Sequence, residues 1–513
     1  MKLNEKYKNL IIEVICLLFV LLFVYAAASK LMDFQHFRIE LGQSPLLSAF
    51  AQWLAVLVPL AEFMICLLLI VPKYRLAGLF SAYGLMVMFT VYIFIILNYT
   101  SFVPCSCGGV LEKLDWKSHM IFNLVFVFLG VLGIIFYNSS TKAKSHFIKN
   151  RKLIGLFSVV TISGISLVIA LFMLSENLVH YHNKLTRRFP QTPIHQTAIT
   201  DLKLNSFYFA GIDSTHVYLG NTTAPLVITT LNSKLLQTQK NMIDLDHKEL
   251  PFRGIAVMIE PPYFFVVDGT VPCIFRGKIN NWKAELIHKK GEYFTTAKII
   301  DSNTIAVVSA NKTNGDNVLA VVQLQNNGLT ILNPEILQKQ TDGVFDTDGI
   351  LLYSREMKKI IYLYAYRNQF TLADNRLKID YRGNTIDTIT RAQLHIEKDK
   401  KYHQRQFSKP PLFVNKNSAV YNNLLFVHSA IPGRYEDDKM WKDSSIIDVY
   451  DLKNKSYVLS FCISNHDGKK MRYFKVINNQ MYVLVGTHII RYRLDSKITS
   501  HYTNQNVNNL LAK

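Results

Sequence analysis

The chain has 513 residues, half of them hydrophobic, and carries a net charge of +20. This length allows two or more domains, and six scattered cysteines are too few for a disulfide scaffold. Residues 1–175 hold 14 Lys and Arg against 7 Asp and Glu, which leaves 43 against 30 in residues 176–513. The second excess indicates an acidic partner or a nearby anionic membrane surface. No run of Lys and Arg with interleaved aromatic residues occurs there, so nucleic acid is not a predicted partner.

Five stretches in the first third of the chain are long and apolar enough to cross a bilayer, which takes about 20 residues per helix. Lys and Arg in short loops mark the cytoplasmic side of a membrane. Three basic clusters fall on one side if the N-terminus is cytoplasmic: residues 2–8, 73–75 and 142–152. The predicted spans are residues 10–29, 47–71, 76–98, 118–137 and 153–175.

This orientation places the loops 30–46 and 99–117, and everything after residue 175, outside the cytoplasm. The alternative for the first span is a signal peptide cleaved after the small residues Ala26-Ala27-Ala28. The length of the apolar stretch and the spans that follow favour a retained helix. Either case leaves the C-terminal part of the chain outside.

Cys105 and Cys107 stand one residue apart in the run Pro104-Cys105-Ser106-Cys107-Gly108-Gly109, between the third and fourth spans. A disulfide across one residue closes a small ring, which should be strained and easily reduced. The two glycines allow a sharp turn and the close approach of a partner's sulfur atom. The pattern favours a redox relay. A structural clip and a metal site are the alternatives, and two thiolates supply only half of a typical zinc ligand set.

Charged side chains close behind the two cysteines bear on their reactivity, because nearby positive charge promotes the reactive thiolate. Glu112 and Asp115 oppose the effect of three residues that favour it: Lys113, Lys117 and His119. The sequence therefore leaves the thiolate fraction open. It names His119 as the candidate for thiol activation.

Glu62 lies well inside the second span, where an ionisable group is expensive and usually faces the interior of a helix bundle. We expect it to be protonated or paired with a polar group of another span, with Lys30, Asn123 and Tyr92 as candidates. Its predicted role is proton handling during redox chemistry, and an interhelical hydrogen bond is the alternative. Two further cysteines in the spans, Cys16 and Cys66, are predicted to be packing residues.

After residue 177 the pattern changes to short β-branched or alternating runs separated by Asn, Asp and Gly. A strand–turn–strand unit recurs about every 40 to 55 residues, except for one longer gap with a charged insertion near residues 373–409. This repeat predicts a six-bladed β-propeller, closed by pairing of a strand near Ile199–Leu204 with the last strands near Met481–Leu494. A large β-sandwich is the alternative. The units are residues 207–217, 254–267, 297–308, 344–353, 412–428 and 473–485.

Two cysteines of this outer part, Cys273 and Cys462, each lie within a strand-like run. Both are predicted to be buried small hydrophobic residues. A disulfide between distant blades remains the alternative outside the cytoplasm.

Residues 10–140 resemble the MauE branch of the DoxX-like membrane proteins. The resemblance is carried by Ala28-Ser29-Lys30-Leu31-x-Asp33 at the end of the first span, Pro59-Leu60-x-Glu62 in the second, and the cysteine loop before the fourth. It implies a four-helix membrane bundle that helps to form or maintain disulfides in exported proteins, with quinone-linked redox chemistry. By resemblance Cys105 and Cys107 are the redox pair. The fifth span and the propeller depart from the plain family pattern, so the client is expected to differ.

The predicted layout is therefore an all-α transmembrane bundle followed by an all-β extracytoplasmic domain. Its parts are a four-helix domain at 1–140, a basic link with the fifth helix at 141–176, a linker at 177–195, the propeller at 196–500 and a tail at 501–513.

The predicted function is a thiol–disulfide redox protein of a bacterial inner membrane, with a periplasmic thioredoxin-like protein or thiol client as partner and quinone as the only cofactor suggested. Whether the protein is an enzyme stays open. The alternative is a membrane-anchored propeller that serves as a scaffold or receptor for export or maturation. No metal ligands are predicted.

Overall fold

The computed structural model describes residues 5–44, 47–99, 116–139, 150–180, 185–289, 293–324, 330–398, 405–407 and 410–503. The chain forms two compact units. One comprises Met1–Gln191 with Arg434–Glu436, and the other comprises Thr192–Gly433 with Asp437–Lys513. The first unit is helical and the second consists almost entirely of strands.

Among its described residues the helical unit has six α-helices, five of which are long and apolar enough to cross a membrane. These five confirm the five predicted spans, and the short second helix is an addition that the sequence did not predict. The helices are α1 (Glu5–Met32), α2 (Phe34–Gln43), α3 (Ala51–Ile70), α4 (Arg75–Tyr99), α5 (Trp116–Ser139) and α6 (Asn150–His180).

Close packing at small residues and polar contacts between neighbouring helices hold these helices together. A Cβ atom on Gly133 of α5 would lie only 3.1 Å from Ile15 of α1, so the glycine permits a close approach that a larger residue would block. Tyr83 of α4 and Thr161 of α6 share a hydrogen bond of 2.8 Å between their hydroxyl groups. The outward faces are apolar, as Leu21 and Leu67 illustrate, which suits helices surrounded by lipid.

In the described part of the second unit, the strands form six sheets and one separate hairpin, and all pairs are antiparallel except the short parallel pair of β6 and β10. Blade 1 contains β2–β5, blade 2 contains β7–β10 with the short β6 beside β10, blade 3 contains β11–β14, blade 4 contains β15–β18, and blade 5 contains β21–β24. The first thirteen strands are β1 (Ile194–Asp201), β2 (Phe207–Ile212), β3 (His216–Asn221), β4 (Val227–Asn232), β5 (Thr238–Met242), β6 (Asp244–Leu245), β7 (Ile255–Glu260), β8 (Tyr263–Asp268), β9 (Cys273–Lys278), β10 (Lys283–His288), β11 (Phe294–Asp301), β12 (Thr304–Ala310) and β13 (Asn317–Gln323). The others are β14 (Thr330–Asn333), β15 (Gly349–Ser354), β16 (Lys359–Tyr364), β17 (Gln369–Asp374), β18 (Ile379–Asn384), β19 (Ile396–Lys398), β20 (Arg405–Phe407), β21 (Asn415–Tyr421), β22 (Leu424–Ser429), β23 (Ser444–Asp451), β24 (Ser456–Ser464), β25 (Met471–Ile477), β26 (Gln480–Val485) and β27 (His488–Leu494).

Blade 6 closes the ring with strands from both ends of the domain. It contains β25, β26 and β27, and β1 pairs antiparallel with β27 from Ile194 opposite Leu494 to Asp201 opposite His488. The first strand of each blade touches the first strand of the next, and β25 contacts β2 to complete the circle. The predicted six-bladed propeller and its closure are confirmed. Two short helices, α7 (Asp438–Asp443) and α8 (Ser496–Thr499), accompany the sheets.

Blade 4 departs from its predicted boundaries. The unit at 344–353 was expected to hold two strands, yet it contains only β15, and the partner β16 follows it. The residues before β15 form a turn in which the Asp346 carboxylate accepts the backbone N–H groups of Thr341 at 2.6 Å and Gly343 at 2.7 Å. Part of the expected insertion at 373–409 completes this blade as β18, and the rest includes the hairpin β19–β20.

Blade 2 shows how buried polar groups are satisfied in the propeller. Asp268 is fully buried and accepts backbone N–H groups from Arg253, Gly254, Thr270 and Val271, together with the Thr270 hydroxyl. Burial alone would raise the pKa of this carboxyl group, but the hydrogen bonds outweigh it and lower the pKa to about 2. The carboxylate therefore stays charged and fixes the turn between β8 and β9.

Cys273 begins β9, and its thiol is free and buried. Burial, and after it the Asp268 carboxylate, raises the pKa of the thiol to about 11. Cys462 lies on β24, three blades away, and the two cysteines are not joined. The expected burial is confirmed for Cys273, whose high pKa also leaves almost no reactive thiolate at neutral pH, but Cys462 is only partly buried.

Candidate functional site

The two cysteines that led the sequence analysis, Cys105 and Cys107, lie outside the described residues. α4 ends at Tyr99 and α5 begins at Trp116, so the segment that contains them joins these two helices. The structure therefore bears on the other predicted site residues, Glu62 and His119, and on the motif residues Lys30 and Asp33.

Glu62 is paired inside the helical unit. It lies in the middle of α3, one turn after Pro59, and its side chain is 0% exposed. The Lys30 side chain near the end of α1 is 11% exposed, and its ammonium donates a hydrogen bond to Glu62 Oε1. Of the three candidate partners, Lys30 therefore makes the contact. Shielding from water strengthens the attraction between the two charges, but removing both charges from water costs desolvation energy, so the pair is needed to keep either charge buried.

Two aromatic rings complete the surroundings of the Lys30 ammonium. Lys30 Nζ lies 5.8 Å from the ring centre of Phe37 on α2 and 5.9 Å from that of Phe89 on α4. Both distances allow a cation–π attraction. The sequence did not predict either contact, because the two rings lie on different helices and their spacing along the chain does not relate them to Lys30.

The ion pair lines a cavity of about 320 Å³ within the helical unit. All six helices contribute to its wall, which is mainly apolar and includes Leu22, Leu54, Met86 and Leu171. This volume lies at the lower end of the range for small-molecule pockets. The residues of the wall that carry polar atoms or an indole are Lys30, Glu62, Tyr92, Trp116, His119 and Asn123.

Three polar atoms of this wall are buried and have no hydrogen-bond partner among the described residues. They are Glu62 Oε2, His119 Nδ1 and Asn123 Nδ2. A buried polar atom without a partner costs about 1–3 kcal/mol. Since all three belong to residues that line one cavity, a polar ligand placed there could satisfy them together.

His119 lies one turn into α5 and its ring is stacked near that of Trp116, with centroids 6.1 Å apart. The structure thus places the predicted thiol activator at the cavity that also holds Glu62. Its position relative to the two cysteines stays a prediction. Asp33 is exposed and follows α1, so this motif residue is not part of the cavity wall.

The other two candidate partners of Glu62 also line the cavity but make no bond to it. The Tyr92 and Ser44 hydroxyl groups share a hydrogen bond of 2.9 Å, and Asn123 is almost fully buried. The sequence could identify these residues as polar groups in apolar helices. It could not rank them, because the ranking depends on how the helices are rotated about their axes.

Cys16 and Cys66 pack in the apolar core of the helical unit. The Cys66 thiol lies 3.7 Å from the Val20 carbonyl oxygen on α1 and donates to it. Both are free thiols. Neither belongs to the wall of the cavity around Glu62.

The paired Lys30 and Glu62 are two of the motif residues on which the resemblance to the MauE proteins was based. Residues 8–136 match the family of the methylamine utilisation protein MauE. This match confirms the predicted resemblance over residues 10–140. It covers about a quarter of the chain, and it includes α1 to α4 and most of α5. The first five helices are therefore similar to MauE, and both α6 and the propeller lie outside the match.

Curated proteins offer no match to this chain. Among solved structures, a member of the duf4221 family from Bacteroides vulgatus is 12% identical, with a TM-score of 0.38, and the likeness covers 60% of this chain and 99% of that one. Virginiamycin B lyase from Staphylococcus aureus is 9% identical, with a TM-score of 0.36 and coverage of 59% and 100%. Regucalcin from Agrobacterium tumefaciens is 8% identical, with a TM-score of 0.33 and coverage of 57% and 91%. Likenesses this weak say nothing about activity.

Proposed function

We propose that this protein is a thiol–disulfide redox protein of a bacterial inner membrane, which takes electrons from exported thiols and passes them to a quinone. Cys105 and Cys107 exchange with the client, and the cavity around Glu62 receives the quinone. The propeller faces the periplasm and holds the client, or a thioredoxin-like partner, near the two cysteines. The observation that carries the proposal is the apolar cavity whose wall contains a buried ion pair and three unpartnered polar atoms.

The chemistry of the cavity fits a quinone head group better than a charged metabolite. Its wall is mostly apolar, as the largely apolar ring of a quinone requires, and its polar atoms can both donate and accept. Asn123 Nδ2 is a donor, Glu62 Oε2 is an acceptor, and His119 Nδ1 serves as either, according to its tautomer. A bound quinone would accept two electrons and two protons and leave as a quinol.

The exchange at the two cysteines balances without further reactants. A client thiolate attacks one sulfur of the Cys105–Cys107 disulfide, and this bond breaks as a mixed disulfide forms. The second client thiol displaces the mixed disulfide, so the client leaves oxidised and the cysteine pair becomes a dithiol. Returning the pair to a disulfide releases two electrons and two protons, which is the amount that quinone reduction consumes.

The ion pair of Glu62 and Lys30 suits proton transfer in the cavity. The paired carboxylate has a second oxygen without a partner among the described residues, and that oxygen faces no competing donor there. The neighbouring ammonium stabilises the charged carboxylate after it has given up a proton. Glu62 is therefore the proposed proton carrier between the cavity and the dithiol, with His119 as the group nearest in chain position to the cysteines.

The orientation in the membrane follows from the three basic clusters at residues 2–8, 73–75 and 142–152, which are expected in the cytoplasm. A membrane-impermeant maleimide added to spheroplasts, whose inner membrane is intact, should then label Cys105 and Cys107 after mild reduction. Labelling that appears only after the membrane is permeabilised would reverse the orientation.

The proposed function is tested with the purified full-length protein in lipid vesicles that contain a short-chain ubiquinone. We expect a reduced dithiol peptide to be oxidised at a rate that depends on both protein and quinone, with one quinol formed per disulfide. Alkylation across a series of redox buffers should show the cysteine pair cycling between dithiol and disulfide. Thiols that stay reduced in oxidising buffer, or peptide oxidation without quinol formation, would favour the scaffold alternative.

A further inference from the structure

Three side chains with no evident connection in the sequence meet beside blade 6. His466 and Asp467 lie between β24 and β25, and His488 begins β27, 22 positions after His466. The rings of His466 and His488 meet edge to face, with centroids 4.5 Å apart. One nitrogen of each ring and one carboxylate oxygen of Asp467 all lie within 4.8 Å of one another.

The local backbone holds His466 and Asp467 in place. The turn His466-Asp467-Gly468-Lys469 is closed by two backbone hydrogen bonds between His466 and Lys469, of 3.1 Å and 2.9 Å. Asp467 and Gly468 both have positive φ angles, of 49° and 69°. Two positive φ angles in a row define a tight turn that favours Asp-Gly, so the sequence itself selects this geometry.

The opposite side of the cluster is held by the start of β27. The Thr487 hydroxyl lies 3.4 Å from Nδ1 of His488, which is a contact that can orient the imidazole ring. The methylene chain of Lys469 lies against Gly486, where a Cβ atom would be only 2.8 Å from its Cδ. The site is therefore formed by the link between blades 5 and 6 on one side and by the start of β27 on the other.

We propose that His466, Asp467 and His488 bind a zinc ion on the rim of blade 6. Two imidazoles and a carboxylate are a ligand set that suits Zn²⁺ and related first-row metal ions, whereas Ca²⁺ and Mg²⁺ prefer oxygen ligands alone. Both histidines are half-buried and Asp467 is exposed. With three protein ligands, the fourth position of the metal faces solvent and is open to water or to a group of another molecule.

This site is independent of the proposed redox function, because it lies in the propeller and uses none of the cysteines. Its test uses the full-length protein in detergent, purified without a polyhistidine tag and treated with a chelator. Zinc sulfate alone is then titrated by calorimetry, and we expect saturable binding with one ion per chain at this site. His466→Ala and His488→Ala should each weaken that binding by about 100-fold or more, because each removes one of three ligands.

A matched control separates the cluster from ordinary surface histidines. His247 lies 3.1 Å from the Asp246 carboxylate and is similarly exposed, but no second histidine joins this pair in the described part of the chain. His247→Ala should therefore leave zinc affinity unchanged. Circular dichroism confirms that each variant keeps its fold.

The same titration decides against the proposal in two ways. The proposal is wrong if the wild-type protein binds no more zinc than a double variant that carries both His466→Ala and His488→Ala. It is also wrong if the binding survives in both histidine variants and disappears only in a Cys105→Ser variant, since the ion would then belong to the cysteine pair.

Discussion

Serine in place of either Cys105 or Cys107 is expected to reduce quinone-dependent oxidation of the dithiol peptide to the rate measured without protein. The reason is that a disulfide needs both sulfur atoms, so neither single variant can complete a cycle. The single cysteine that is left can form a mixed disulfide only by attacking the disulfide of the oxidised peptide, which releases the second peptide thiol, and this covalent adduct is seen on a non-reducing gel. The measurement is the rate of quinol formation in vesicles, together with that gel.

Matched controls exist within the same chain. Cys273→Ser removes a buried thiol whose pKa is raised to about 11, and Cys16→Ser removes a buried thiol in the membrane core. Both variants should keep the full rate, because neither thiol is expected to exchange with a client. Full activity in the Cys105→Ser and Cys107→Ser variants would contradict the redox function and favour the scaffold alternative.

The sequence predicted the fold well where a physical signal repeats along the chain. Apolar stretches of membrane-spanning length gave five helices, and strand–turn–strand units gave six blades with the correct closing strand. The prediction of strand boundaries was wrong where hydrogen bonds from a side chain shape the local backbone. Asp346 holds a turn before β15, and such a turn carries no periodic signal, so the limits of blade 4 were misplaced.

The candidate site was predicted in part, and the limit is again physical. A carboxylate in an apolar helix needs a partner, so Glu62 and a short set of candidates could be named from the sequence. The choice of Lys30, the flanking rings of Phe37 and Phe89, and the cavity itself depend on how helices rotate and pack. The same holds for His466 and His488, because only the folded course of the β24–β25 link makes His466 a neighbour of the start of β27.

Lys30→Met is expected to destabilise the helical unit by about 3–5 kcal/mol, because it leaves the Glu62 carboxylate buried without its cation. The measurement is thermal or denaturant unfolding of the full-length protein in detergent, in which the loss of helical structure is monitored. A surface pair in the same helix is the control. Lys8 and Glu5 are 3.5 Å apart and Glu5 is exposed, so Lys8→Met should cost less than about 1 kcal/mol.

A double variant separates the structural role of the ion pair from its proposed role in proton transfer. Replacing both partners by apolar residues, as in Lys30→Met with Glu62→Leu, removes the buried charge and should restore most of the lost stability. If Glu62 carries protons, this stable double variant still loses quinone-dependent thiol oxidation. A double variant that is stable and fully active would assign the pair to structure alone. A Lys30→Met variant as stable as the wild type would instead show that Glu62 does not depend on Lys30 for its burial.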